Sequence, residues 1–284
     1  LGDVYKRQHL AAIVKRLDTS RVVTAGCNEV NPANHLFRSD ALDVLGFNYH
    51  ERYFEPFLRN FPGKKLIVSE STSALMTRGY YEMPSDHIYI RPESWDKPFE
   101  APEHVCSSYD NCHVPWGSTH EKTWHLVKTL PHVSGLFVWT GFDYLGEPTP
   151  YWWPSRSSFF GIVDLVGFPK DIYYMYKSEW TNEPVLHIFP HWNWKESEPV
   201  DIWAYYNNAD EVELYLNGKS LGVRQKTDST YHVSWRVPFT PGTLKAVSRL
   251  GGKEVLVKEI HTAGEPARLV LTPDRSVIQA DGSD

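Results

Sequence analysis

The sequence predicts an α/β segment followed by an all-β segment, specifically half of a (β/α)₈ barrel and then an immunoglobulin-like β-sandwich. In the first segment, short apolar runs recur about every 22 residues, at RVVTAG from Arg21, DVLGFN from Asp43 and KLIVSE from Lys65. Helix-forming stretches separate these runs, which is typical of a parallel sheet. After Pro184 the pattern changes to alternating strands with tight turns, which favours an antiparallel sandwich.

The composition is that of a globular protein. The 284 residues are 41% hydrophobic and 23% charged, with a net charge of -6 and no long basic cluster, so nucleic acid is excluded as an expected partner. No apolar stretch is long enough to predict a membrane span. Eleven tryptophans and sixteen tyrosines provide flat apolar faces with polar edges, which suit sugar or peptide ligands as well as protein cores.

The α/β segment can be assigned element by element. HLAAIVKRLD, from His9, has its apolar residues on one helical face. ERYFEPFLRNF from Glu51 predicts a second helix, and STHEKTWHLVKTL a third, with a capping box formed by Ser118 and Glu121. The fourth strand lies in SGLFVWTGFDYLGE, and KDIYYMYKSEW predicts the closing helix.

Two features of the chain suggest a fragment. The opening LGDVYKRQ lacks Met and does not continue naturally into the helix after it, so residues 1–8 are expected to be foreign to the gene. From about Pro266 a further strand series begins and stops. We therefore expect three domains: residues 1–182 form the half-barrel, 183–264 the sandwich, and 265–284 the truncated start of another β domain.

Polar and aromatic groups follow all four predicted parallel strands. The strand ends read Gly26-Cys27-Asn28-Glu29, Asn48-Tyr49-His50-Glu51, Ser69-Glu70 and Trp139-Thr140-Gly141-Phe142-Asp143. Ligands and catalytic groups occupy this edge in α/β folds, whereas a single Glu after a strand is usually an ordinary surface residue. An insertion at residues 71–117 directly follows Glu70 and is expected to cover the same edge, because long loops in compact domains are usually functional.

Several long blocks resemble glycoside hydrolase family 2, of the β-galactosidase type common in gut Bacteroidetes. They include VLGFNYHERYFEPF, LIVSESTSALMTRGYYEMPSD and FVWTGFDYLGEPTPYWWPSRSSFFGIVDLVGFPKDIYYMYKSEW, and the likeness covers about residues 9–264. The resemblance implies that the visible strands are barrel strands five to eight, the carboxyl-terminal half. It also implies a retaining exo-β-glycosidase acting through a covalent glycosyl-enzyme intermediate.

The resemblance also assigns roles to residues. Glu70 maps onto the nucleophile, Tyr49 onto the tyrosine that supports it, and Trp139 onto a wall of the sugar pocket. Substrate binding is assigned to Asn48, His50, Asp143 and Glu147. The family's acid/base Glu follows an Asn at the end of strand four; RVVTAGCNEV corresponds in order to strand five, so Glu29 is expected to be a decoy and this chain alone catalytically inactive.

Other readings remain open. A β-glucuronidase or β-mannosidase would keep the chemistry and change the sugar, and a non-catalytic carbohydrate-binding protein would keep only the aromatic pocket. No metal or other cofactor is expected, because the histidines and cysteines lack metal-ligand spacing; a Cys106–Cys112 bridge is compatible with the sequence but not required. The expected partner is an oligosaccharide or β-galactoside, and the resemblance favours the periplasm or extracellular space. The sequence does not decide the oligomeric state.

Overall fold

The computed structural model describes residues 2–282 apart from residues 95, 98 and 102. Its first part is mixed α/β, as predicted. The elements of this part are α1 (Gly2–Leu17), β1 (Gly26–Cys27), α2 (His35–Arg38), β2 (Val44–Asn48), α3 (Phe57–Asn60), β3 (Lys65–Thr72), β4 (Tyr89–Ile90), β5 (Cys112–His113), α4 (His120–Thr129), β6 (Val133–Trp139) and α5 (Asp171–Trp180).

The apolar runs form one four-stranded parallel sheet in the order β1-β2-β3-β6. Leu45, Phe47, Leu66 and Val68 are almost completely buried. Aromatic side chains from the segments between the strands pack on them, and Phe47 and Phe57 meet edge to face with ring centroids 5.6 Å apart. Burial of these runs fixes the sheet, so the carboxyl ends of its strands lie along one edge.

Three elements differ from the sequence prediction. Helix α1 runs without a break from Gly2, so the opening segment does continue into it. Strand β1 contains only Gly26–Cys27, although the Val23 carbonyl still accepts a hydrogen bond from the Asp43 N–H. The helix expected from Glu51 is divided at Pro56 into a 3₁₀ turn and the short α3, because proline has no N–H and its ring clashes with the preceding turn.

The amino terminus of α4 is capped differently from the predicted box. Thr119, not Ser118, is the N-cap, and its hydroxyl accepts from the Lys122 N–H at 3.3 Å. The buried Asp110 carboxylate accepts from the N–H groups of residues 120 and 121, at 2.8 and 2.7 Å. Glu121 is thereby free to pair with His232 at 2.7 Å. The Asp110 carboxylate, which belongs to the insertion, therefore accepts hydrogen bonds from free N–H groups at the start of α4, a role that the sequence predicted for a capping box.

The second part contains two antiparallel sheets. Its strands are β7 (Leu186–Phe189), β8 (Pro199–Tyr206), β9 (Glu211–Leu216), β10 (Lys219–Arg224), β11 (His232–Pro238), β12 (Thr243–Leu250) and β13 (Lys253–His261). One sheet has the order β11-β8-β7 and the other β10-β9-β12-β13. Alternate side chains such as Val233, Trp235 and Val237 point into a core that draws on both sheets.

The predicted hairpin turns are present. Asn217 and Gly218 have φ values of 51° and 80°, and Gly251 and Gly252 have 57° and 77°, as the tight two-residue turns between right-twisted strands require. The strand series expected from Pro266 is wrong for the part of the tail that the structure describes. Residues 262–282 contain no strand, since an extended segment without a neighbouring strand has no partner for its backbone groups.

The two parts share a buried cluster. Tyr176 of α5, Tyr109 of the insertion and Trp203 of β8 all belong to it. The predicted boundary at residue 182 falls in the connection between α5 and β7. Among the described residues, no helix combines the length and apolarity needed to cross a membrane.

Candidate active site

The carboxyl ends of the parallel strands open into one cavity of about 380 Å³. This volume lies within the usual range for small-molecule sites. The cavity is lined by Asn28, Tyr49, His50, Glu70, Ser73, Trp116, Trp139, Glu147 and Phe160. Five of the seven predicted site residues therefore meet there: Tyr49, His50, Glu70, Trp139 and Glu147.

Glu70 lies on β3 in the interior of the sheet and is half-buried. It pairs with Asn48 across a register shift between β2 and β3. The Tyr49 N–H donates to the Glu70 carbonyl oxygen at 2.7 Å. The backbone of Glu70 is therefore held on the strand while its carboxylate faces the cavity.

Tyr49 is buried, with 7% of its surface exposed. Burial raises the pKa of its phenol, and the neighbouring Glu70 carboxylate raises this pKa further. Ser73 and Trp116 also lie beside the hydroxyl. Since the phenol stays protonated at neutral pH, it can donate a hydrogen bond to an ionised Glu70.

The cavity walls differ in charge. Burial lowers the pKa of His50, helped by the nearby Arg52 guanidinium, so the imidazole is neutral near pH 7. Trp139 ends β6 and meets Tyr144 edge to face, while the Tyr144 hydroxyl hydrogen-bonds to the Glu147 carboxylate. Among the described lining residues there is no Lys or Arg, so the two carboxylates set the sign of the charge.

Four lining residues have a left-handed backbone. The φ values are 58° at Tyr49, 64° at His50, 50° at Ser73 and 41° at Glu147. Non-glycine residues rarely adopt this conformation, and where they do, the outliers cluster at functional sites. The concentration of such residues around one cavity supports a functional reading of it.

Two predicted site residues do not line the cavity. Asn48 is buried beneath the edge, where it accepts from the Ser69 hydroxyl at 2.8 Å. Asp143 forms an ion pair with the buried Lys170 at 2.7 Å and accepts from the Gly161 N–H. The Asp143 carboxylate thus has partners within the protein, and its role in substrate binding stays a prediction.

The structure adds four lining residues that the sequence did not single out: Asn28, Ser73, Trp116 and Phe160. Asn28 stands in the strand end set aside as a decoy, whereas Glu29 beside it is exposed and does not line the cavity. Ser73 and Trp116 belong to the insertion after Glu70. The position of that insertion was the signal that could have pointed to them.

The described residues contain neither a disulfide bond nor a cluster of metal ligands. Cys27, Cys106 and Cys112 are buried free thiols, so the Cys106–Cys112 bridge is not formed. Across the described residues, no group of three or more His, Cys, Asp or Glu side chains is placed to hold a metal ion.

Known proteins that are similar in sequence to this chain include a β-galactosidase and a putative β-glucuronidase. The chain is 60% identical over 275 residues to the β-galactosidase BoGH2A of Bacteroides ovatus, covering 97% of this chain and 32% of the relative. It is 33% identical over 290 residues to a putative β-glucuronidase of Formosa agariphila, covering 92% of this chain and 26% of the relative. The chain thus spans about a third or less of the length of these relatives.

Solved structures agree in fold. A β-glycosidase from Bacteroides vulgatus superposes with a TM-score of 0.81 at 30% identity, over 98% of this chain and 37% of that one. A glycosyl hydrolase family 2 member from Bacteroides cellulosilyticus gives 0.68 at 28% identity, over 98% and 33%. Residues 197–256 match a domain of unknown function, DUF4982. The chain belongs to glycoside hydrolase family 2.

Proposed function

We propose that this chain supplies the nucleophile side of the active site of a retaining exo-β-glycosidase that hydrolyses terminal β-galactosides. One observation carries the proposal. Glu70 lies on a parallel strand and lines a cavity together with the protonated Tyr49 hydroxyl and the Trp139 ring. An acid on a rigid strand, with a donor beside it and an aromatic wall, fits attack on a sugar ring.

In the proposed mechanism Glu70 attacks the anomeric carbon. The leaving group departs as the glycosyl ester forms, and water then hydrolyses the ester. Tyr49 donates a hydrogen bond to the attacking carboxylate, and Trp139 packs on the sugar. Glu29 is exposed and outside the cavity, so the proposal does not use it as the acid/base. On this basis the 284-residue chain by itself is expected to turn over no aryl glycoside.

The preference for a neutral sugar rests on charge. A glucuronide carries a carboxylate that needs a cationic partner in a desolvated site. The described lining residues offer Glu70 and Glu147 and a neutral His50, with no Lys or Arg. This supports the galactoside over the glucuronide, although four similar proteins are named β-glucuronidases or putative β-glucuronidases.

We infer further that the parallel sheet is one half of a (β/α)₈ barrel and that the paired antiparallel sheets form an immunoglobulin-like sandwich. Four parallel strands in chain order, with a cavity at their carboxyl ends, support the first inference. Two sheets enclosing a common core support the second.

The test is covalent trapping in the full-length gene product. A 2-deoxy-2-fluoro-galactosyl inactivator should leave an ester on the peptide that contains Glu70, because the fluorine slows hydrolysis of the intermediate. Glu70→Ala should abolish turnover, and azide should partly restore it as an α-galactosyl azide. Glu29→Ala, which removes an exposed strand-end acid, is the matched control and should keep full activity.

Competing readings give different results. Faster turnover of nitrophenyl β-glucuronide or β-mannoside than of the galactoside would change the sugar and keep the mechanism. Binding of galactosides without turnover or labelling would indicate a carbohydrate-binding protein. Labelling of a different carboxylate, with Glu70→Ala still active, would refute the assignment of the nucleophile.

A further inference from the structure

A row of hydrogen bonds runs across the edge of the sheet below the cavity. The Ser69 hydroxyl on β3 donates to Asn48 Oδ1 on β2 at 2.8 Å, and Asn48 Nδ2 donates to Asn28 Oδ1 at 3.0 Å. Asn28 follows β1 and lines the cavity. Strands β3 and β2 and the residue that follows β1 thus contribute one polar side chain each, and the row ends at the cavity wall.

Two glycines make room for this row. A Cβ at Gly26 would lie 2.8 Å from Asn48 Oδ1. A Cβ at Gly46 would lie 2.9 Å from Ser69 Oγ and 2.4 Å from the Ala25 carbonyl oxygen. These separations are too short for real carbon contacts, so any side chain at either position would displace the row. The backbone is built to accept polar side chains there.

The direction of the row determines what Asn28 presents to the cavity. An asparagine has one acceptor oxygen and two N–H donors. The oxygen of Asn28 is occupied by Asn48, and no hydrogen bond within the described residues uses its Nδ2. The side chain is exposed to the cavity while the buried Asn48 fixes its orientation. Asn28 therefore offers a preoriented donor to a ligand.

We propose that Asn28 contacts the substrate by donating a hydrogen bond from Nδ2 to a sugar hydroxyl, and that Asn48 and Ser69 are positioning residues that aim it. The proposal rests on the proposed glycosidase function. A hydroxyl oxygen is a suitable acceptor for a neutral amide donor in this site. The donor helps to select sugars that place a hydroxyl there, and sugars without it leave the amide unpaired.

The test combines a substitution at Asn28 in the full-length gene product with removal of single hydroxyls from the substrate. Asn28→Asp keeps the oxygen that accepts from Asn48 and removes the Nδ2 donor. Its effect is measured as kcat/KM on nitrophenyl β-galactoside and on the 2-, 3-, 4- and 6-deoxy analogues of this substrate. Asn28→Asp should lose about ten- to hundredfold on the parent glycoside, the range for one substrate hydrogen bond in a desolvated site. For one deoxy analogue the loss should vanish, because its missing hydroxyl is the partner.

Control variants separate this role from structural effects. Asn182→Asp makes the same chemical change at an exposed position between α5 and β7 and should leave every substrate unaffected. Ser69→Ala should reduce the same hydroxyl-specific discrimination without changing the melting temperature. Asn28→Ala provides a second, uncharged test of the donor.

Three results would overturn the proposal. They are equal losses on all five substrates, rates for both Asn28 variants that match Asn182→Asp, and a Ser69→Ala effect confined to stability. Labelling of Glu70 by the fluorosugar is measured separately in each variant. Retained labelling with a negative Asn28 result would refute only this inference, whereas absent labelling in the parent protein would refute the proposed function.

Discussion

The ion pair between Lys170 and Asp143 gives a direct test of whether Asp143 is structural. Lys170 is 1% exposed, and its ammonium lies 2.7 Å from Asp143 Oδ2 and 2.8 Å from the Met76 carbonyl oxygen. Burial lowers the pKa of Lys170 and raises the pKa of Asp143, so each charge is costly to bury and depends on the other. Removing one partner should therefore destabilise the fold more than neutralising both.

The magnitude follows from breaking a buried pair. Lys170→Met leaves the Asp143 carboxylate without its counter-ion and should lower the free energy of unfolding by about 3 kcal/mol. The double variant Lys170→Met/Asp143→Asn should lose less, since a neutral amide replaces the unpaired charge and can still accept from Gly161. Lys245→Met is the control: its pair with Glu259 spans 3.8 Å with both side chains over 40% exposed, so the loss should stay below about 1 kcal/mol.

The assay is equilibrium urea denaturation followed by tryptophan fluorescence, with kcat and KM measured on the full-length gene product. A structural Asp143 predicts that Asp143→Asn lowers the unfolding midpoint. An unchanged midpoint with a raised KM would refute this reasoning and return Asp143 to the substrate site. A loss for Lys170→Met no greater than that for Lys245→Met would show that the buried pair contributes little.

Two further predictions concern Tyr49 and His120. Tyr49→Phe removes the phenolic donor beside Glu70, so it should lower kcat and alter the pH–rate profile of the full-length protein at an unchanged melting temperature; parent-like kinetics would reduce Tyr49 to a packing residue. Burial lowers the pKa of His120 to about 3, so the unfolded chain binds the extra proton as the pH falls from about 6.5 toward 3, and stability should drop by up to about 1.4 kcal/mol per pH unit. His120→Gln should flatten this dependence in urea titrations between pH 7 and pH 5, and a parent chain with no slope there would contradict it.

Local patterns were enough to predict much of the framework. The runs around Leu45, Leu66 and Leu136 specify strands by their apolar sequence, and Asn217-Gly218 specifies a hairpin turn by its tolerance of positive φ. The place of Glu70 on its strand also followed from sequence, because the apolar run leads directly into it. Each of these features depends on residues close together in the chain.

The sequence was less informative where the partner of a side chain is distant. Ser118 and Glu121 had the spacing of a capping box, yet Asp110, brought in by the insertion, satisfies the same helix donors. Asn28 and Asp143 both follow strand ends, and the sequence set the first aside with Glu29 as a decoy and assigned the second to substrate binding. A hydrogen bond from Asn48 turns one toward the cavity, and an ion pair with Lys170 holds the other away.

The sequence by itself thus determined most of the strands and helices of the framework, the edge at which the parallel strands end, and that an acid stands there. Only the tertiary structure decided which polar groups at the strand ends line one cavity and which are held by ion pairs or hydrogen bonds with other parts of the chain. The physical reason is that backbone periodicity and turn geometry are local properties. Desolvation, ion pairing and hydrogen-bond direction depend on groups that approach from elsewhere in the chain, as Lys170 does to Asp143 and Asn48 to Asn28.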